Sequence, residues 1–194
     1  MTEKKRSGRS SLSGENWELA ALKSLARNGL EGVGIEPLAR ELGVTKGSGY
    51  WHFKDRRALL RAALTRWERT VTAGVLARLA QIPNPRERFV AMLEMAFLDA
   101  GNRRLEAAVH AAAHDPVVRP FVRRTRDRRM RYLEGEFREL GLSAAEARDS
   151  ALLAYSAYVG LLSLEWQLPA RILSREDWER YLRYVAARLL PPER

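Results

Sequence analysis

Within residues 46–54 the chain sets Lys46, Ser48, Tyr50, Trp51, His52 and Lys54, with no carboxylate among them. Each of these side chains can donate a hydrogen bond, and the ammonium and indole groups can only donate. Such an inventory suits holding phosphate oxygens and the acceptors on base edges. It lacks the paired acid and base that bond-breaking chemistry needs. Thr45 and Arg56 flank the cluster and extend its donors.

Other chemistries find little material. The chain has no cysteine, so it can form no disulfide, thiolate metal site or cysteine nucleophile. A P-loop, a dinucleotide fingerprint, H-E-x-x-H and G-x-S-x-G are all missing from the sequence. His110 and His114 are four apart and followed by Asp115, but no third strong ligand is identifiable, so no metal or cofactor is expected. A formal net charge of +10 favours a polyanionic partner. The charge is uneven: one cluster lies near the N-terminus, where "EKKRSGR" adds either solubility or nonspecific phosphate attraction. Seven arginines stand within residues 119–131, either solvating a helix or forming an inner ring for an anionic ligand. No signal peptide or membrane span is visible, so a soluble cytoplasmic protein without a membrane partner is expected.

Helices must position these groups. Leu12-Ser13 opens the first, with Ser13 as cap and Leu12 able to close a hydrophobic staple on Trp17; Asn28-Gly29 ends it. A second helix is predicted over residues 36–42, with Pro37 in its first turn and Gly43 after it. Thr45 then caps a third. Two short helices joined by a tight glycine-containing turn form a helix-turn-helix. A long helix follows, striped by Leu60, Leu64, Trp67, Val71, Val75 and Leu79 until Pro83. Further helices are predicted over 86–100, 103–113, 116–140, 143–168 and 175–190, with a capping box from Ser143 to Glu146 and Pro169 just past a helix end. The expected fold class is all-α, with residues 1–60 as an N-terminal helix-turn-helix unit and 61–194 as a second helical unit.

The ordered series "LARELGVTKGSGYWHFKDRRALL" closely resembles the TetR family of transcriptional regulators. That resemblance implies a homodimer whose paired N-terminal domains enter successive major grooves of a pseudo-palindromic, double-stranded DNA operator. It also implies a C-terminal domain that binds a small-molecule effector and releases the DNA, most often as a repressor. By position in the motif, Thr45, Lys46, Gly47, Ser48, Tyr50, Trp51, His52, Lys54 and Arg56 are the expected DNA-binding residues. Phe53 is read as core, and Tyr50 as either core or contact. Two departures from the family pattern stand out: Gly34-Ile35 where a hydroxyl is common, and Gly49 where a bulky apolar residue is common. If the space beneath Gly49 is open, Gly49→Phe or Gly49→Leu should raise stability; if Trp17 or Trp51 fills it, the reverse follows. The rival function is a helical protein-interaction module with a degenerate DNA-binding domain.

An effector pocket is expected from Met92, Met95, Val109, His110, Phe121, Tyr155 and Tyr158, although any one of them can equally fill a core. The last two long helices carry more apolar positions than one inner face requires. By the same resemblance they form the dimer seam, with Tyr155, Val159, Leu162, Trp178, Tyr181, Leu182 and Val185 as its expected contacts.

Overall fold

The computed structural model describes residues 12–168 and 174–192, and every regular element among them is helical. The basic stretch "EKKRSGR" and Pro169 lie outside the described residues. Ser13 and Asn16 form a reciprocal capping box that starts α1 (Gly14–Asn28), and Gly29, at φ 65°, ends it. The positive φ there is one that a side chain tolerates poorly. A 3₁₀ turn leads to α2 (Ile35–Glu41), and Gly43, at φ 66°, reverses the chain into α3 (Lys46–His52). Asp55 accepts from the Ala58 amide at 2.8 Å and opens α4 (Arg56–Glu68).

The predicted long helix is continuous but not regular. Residues Arg69–Ala73 form a π turn between α4 and α5 (Gly74–Leu79). Thr70 returns its hydroxyl to the Arg66 carbonyl at 2.9 Å, a contact that bends helices. The extra residue shifts the inward face so that Thr72 is buried while Val71 is only partly so.

Asn84 caps α6 (Pro85–Phe97) and Asp99 caps α7 (Ala100–Ala111). Then come α8 (Arg119–Glu139), α9 (Ala144–Gln167), opened by the expected Ser143–Glu146 box, and α10 (Arg175–Leu189), opened by a second box from Ser174 to Asp177.

Two cores result. The first gathers Trp17, Leu25, Leu38, Phe53, Leu60 and Trp67, and continues into Val109, Val118 and Phe121 of the second half. The second gathers Phe89, Phe97, Phe137, Tyr158, Leu162 and Trp178. Ion pairs lock the elements together. Arg66 of α4 meets Glu18 of α1 at 2.7 Å, Arg88 of α6 meets Glu136 of α8 at 2.7 Å, and Arg103 of α7 meets Glu165 of α9 at 2.9 Å. The arginine cluster of α8 divides: Arg124 grips Glu68 of α4 through two bonds of 2.9–3.0 Å, Arg129 turns inward, and Arg123, Arg126 and Arg128 stay exposed.

Candidate functional site

The seating of α3 explains its glycines. A Cβ built on Gly49 would lie 2.7 Å from Ile35 Cγ2 and 2.7 Å from Trp17 Cη2, so the space is already full. Trp17 occupies it together with Ile35, while Trp51 is 82% exposed and takes no part. The two departures from the family pattern are therefore one packing solution. Ile35 brings apolar bulk where a hydroxyl is usual, and Gly49 removes the bulk that would collide with it. At Gly34 no side chain caps α2, as expected. Gly47 differs from Gly49: its nearest neighbour would be Thr45 Oγ1 at 3.8 Å, so this face is open for close backbone approach.

Thr45, Lys46, Gly47, Tyr50, Trp51 and Lys54 are exposed at or beside α3, and Ser48 is half-buried. Thr45 makes no capping bond through its hydroxyl, which leaves that group available. Lys46 donates to Glu36 of α2 at 3.1 Å across solvent-exposed surface. Phe53 packs in the first core, as read from the sequence.

His52 and Arg56 also make contacts within the fold. The His52 Nε2 lies 2.7 Å from the Leu12 carbonyl and anchors the entry to α1. Arg56 donates from Nε to the Val33 carbonyl at 2.6 Å and from Nη2 to the Leu30 carbonyl at 2.7 Å. Both side chains satisfy backbone oxygens of the loops that carry α1 and α2. These bonds tie α3 and the start of α4 to the segments that precede α1 and α2, while Arg56 stays exposed.

A cavity of about 100 Å³ lies between the π turn, α5, α6, α7, α8 and α9. Met92, Met95, Tyr155 and Tyr158 line it as expected, and so do Thr72, Asn102, Arg129 and Tyr132, which the sequence reading did not select. Thr72 was hidden by the register shift of the π turn. Arg129 was hidden within a cluster whose charges point in every direction. Val109 and Phe121 do not reach the cavity; both sit in the first core. Nor does His110, whose Nε2 lies 4.0 Å from Glu106 Oε2. His114 bonds its own helix turn, with Nδ1 at 3.1 Å from the Ala111 carbonyl.

Behind the cavity wall lies a buried polar chain. Arg129 donates from Nη1 and Nη2 to the two oxygens of Glu106 at 2.8 and 2.9 Å, and the Trp67 indole of α4 donates to Glu106 Oε1 at 3.0 Å. Burial opposes the charge on Arg129, but the fully buried Glu106 carboxylate outweighs it and holds the guanidinium's pKa above its ordinary value. Burial lowers the His110 pKa, an effect that Glu106 offsets only in part and Arg129 reinforces.

The residues expected at a dimer seam divide in two. Leu162, Trp178 and Leu182 are buried inside the chain's own core, where Trp178 stacks 5.8 Å from Phe97 and carries Arg103 4.4 Å above its ring. Tyr155, Val159, Tyr181 and Val185 are half-buried against the same core. The large apolar side chains that stay exposed on α9 and α10 are instead Leu152, Leu153, Leu164, Trp166 and Tyr184.

Comparison with known proteins is consistent with this arrangement. Residues 19–63 match the family model described as bacterial regulatory proteins, tetR family. Over 171 residues the chain is 29% identical to the HTH-type transcriptional regulator CymR of Pseudomonas putida, covering 84% of this chain and 81% of that protein. The crystal structure of a transcriptional regulator from Rhodococcus sp. Rha1 is 25% identical, with a TM-score of 0.75 over 92% of this chain and 96% of that one. A transcriptional regulator from Saccharomonospora viridis, solved in complex with choline, shares the fold at a TM-score of 0.75 and 21% identity, covering 88% of this chain and 93% of its own. The matched segment contains α2, α3 and the loop between them, together with the exposed donors of the reading face. Residues 19–63 thus match the tetR family of bacterial regulatory proteins, and the chain as a whole is similar to transcriptional regulators with this fold.

Proposed function

We propose that the protein is a ligand-responsive repressor that binds a pseudo-palindromic operator as a homodimer. Residues 1–60 act as the DNA-binding unit and 61–194 as the ligand-binding and dimer-forming unit. The observation that carries this reading is the outward face of α3, where Thr45, Lys46, Gly47 and Tyr50 stand exposed on a filled base of Trp17 and Ile35. A short helix with an open glycine and free donors fits the major groove, and a twofold copy places the same contacts about 34–36 Å away. The exposed leucines of α9, with Tyr184 of α10, support pairing of two copies. The cavity beside the π turn supports an effector site, since its wall reaches Trp67 of α4 through Arg129 and Glu106.

No helix among the described residues is long and apolar enough to cross a membrane. Decay at Gly49 would favour the interaction-module alternative, whereas the close-packed base beneath that glycine argues for a maintained DNA-binding unit. Selection of a binding site from random duplexes, followed by titration at several salt concentrations, tests the proposal. A selected pseudo-palindrome whose affinity falls as salt rises supports it, and failure to select any sequence contradicts it.

A further inference from the structure

Resting on the reading of the cavity as the effector site, we infer that its ligand is a small organic acid: a carboxylate on a compact apolar body. Three observations point there. First, the wall offers hydrogen-bond donors without a single carboxylate: Thr72, Tyr132 and Tyr155 bring hydroxyls, Asn102 an amide and Arg129 a guanidinium.

Second, the donors have capacity to spare. Thr72 is almost completely buried, and neither its hydroxyl nor that of Tyr155 has a hydrogen-bond partner among the described residues. Glu106 takes one bond each from Nη1 and Nη2 of Arg129. The Nε–H of that guanidinium has no partner among the described residues, and the Val71 carbonyl is a distant 3.5 Å from Nη2. Buried donors left unmatched are costly, and a bound acceptor relieves the cost.

Third, the remaining wall is apolar: Val75, Leu76, Leu79, Met92, Met95 and Phe97. At about 100 Å³ the cavity is smaller than the roughly 150 Å³ of an apolar cavity that holds benzene, so it suits a short chain as it stands and a ring only if the flexible methionines give way. A cation such as choline would find no carboxylate on the wall to meet it, whereas an acid brings acceptors to a donor set already assembled.

The test uses the full-length protein and thermal melting with matched probes: benzoate, phenylacetate and hexanoate against benzamide, benzyl alcohol and choline. At least one acid should raise the melting temperature and bind about tenfold or more tightly than its uncharged counterpart. Tyr155→Phe should weaken that acid several-fold while leaving the unliganded melting temperature little changed. Because Arg129→Met alone strands Glu106, the paired variant Arg129→Met with Glu106→Leu removes both charges, and it should abolish the preference for acids.

If no acid shifts melting, or if a neutral or cationic probe binds as well, the inference is overturned. An acid that binds but leaves operator affinity unchanged would instead overturn the effector reading and leave this assignment of the cavity standing.

Discussion

Gly49 and Ile35 behave as a matched pair, and their substitutions should show it. Gly49→Ala places a Cβ 2.7 Å from both Ile35 and Trp17, and neither is a flexible side chain that can swing aside. A loss of about 1–3 kcal/mol is expected, with Gly49→Leu worse, although alanine alone would favour the helix. In a double-mutant cycle, Ile35→Ala should recover part of the loss, giving a coupling of about 0.5 kcal/mol or more by chemical denaturation. Additive effects would show that the two residues do not share the space.

His110 gives a second residue-level outcome. Its native pKa lies below the unfolded value of about 6.5, so the unfolded chain takes up a proton first as pH falls. The stability this residue allows at neutral pH is therefore lost as pH drops through about 6.5, and the loss ends at the lower native pKa. Glu106 and Arg129 are the charged groups facing it. In paired melting curves at pH 7 and pH 5, His110→Gln should lose less than the parent protein.

Among the elements, those with local signals were legible and those placed by tertiary packing were not. Ser13, Gly29, Gly43 and the Ser143–Glu146 box fixed helix ends from neighbouring residues alone, and the structure keeps all of them. The π turn has no such signature: Thr70 and Thr72 are ordinary helix residues until packing adds a residue to the turn. The rotational phase of α7 and α9 was also hidden. Helical spacing says that Val109 and Leu162 lie on apolar faces, but not which neighbour those faces meet. Nearly apolar all round, α9 gives the hydrophobic pattern no way to separate the core side from the exposed Leu152 and Leu153.

The exposed face of α3 was legible because a short motif places each residue. The diversion of His52 and Arg56 to backbone carbonyls was not, because their partners are 40 and 23 residues away. One consequence concerns the neighbouring α2. Glu36 holds Lys46 in an exposed pair worth about 0–1 kcal/mol, and beside bound DNA its charge would repel phosphates. Glu36→Gln should therefore raise operator affinity by up to about fivefold at low salt, and anisotropy titration would reveal an unchanged affinity if Lys46 never exchanges partners.

Across the molecule, the first core binds α1 and α4 to α7 and α8, so movement at the cavity can reach the reading head through packed side chains. Trp67 lies in that core and donates to Glu106, which holds Arg129 at the cavity wall. Pairing of two such molecules should use the outer faces of α9 and α10. Leu153→Arg should yield a monomer by light scattering at micromolar concentration, and its operator affinity should fall because one reading head loses its twofold mate. A Leu153→Arg protein that remains dimeric would move the seam elsewhere.

The central claim is that α3 reads DNA, and a titration of the full chain on its selected operator tests it most directly. Parent, Lys46→Ala and Tyr50→Phe proteins are compared at one fixed salt concentration, with melting curves showing that each is folded. The expected result is tight binding by the parent to a pseudo-palindrome and about tenfold weaker binding by Lys46→Ala, with a smaller loss for Tyr50→Phe. Equal affinity for all three folded proteins would contradict the claim.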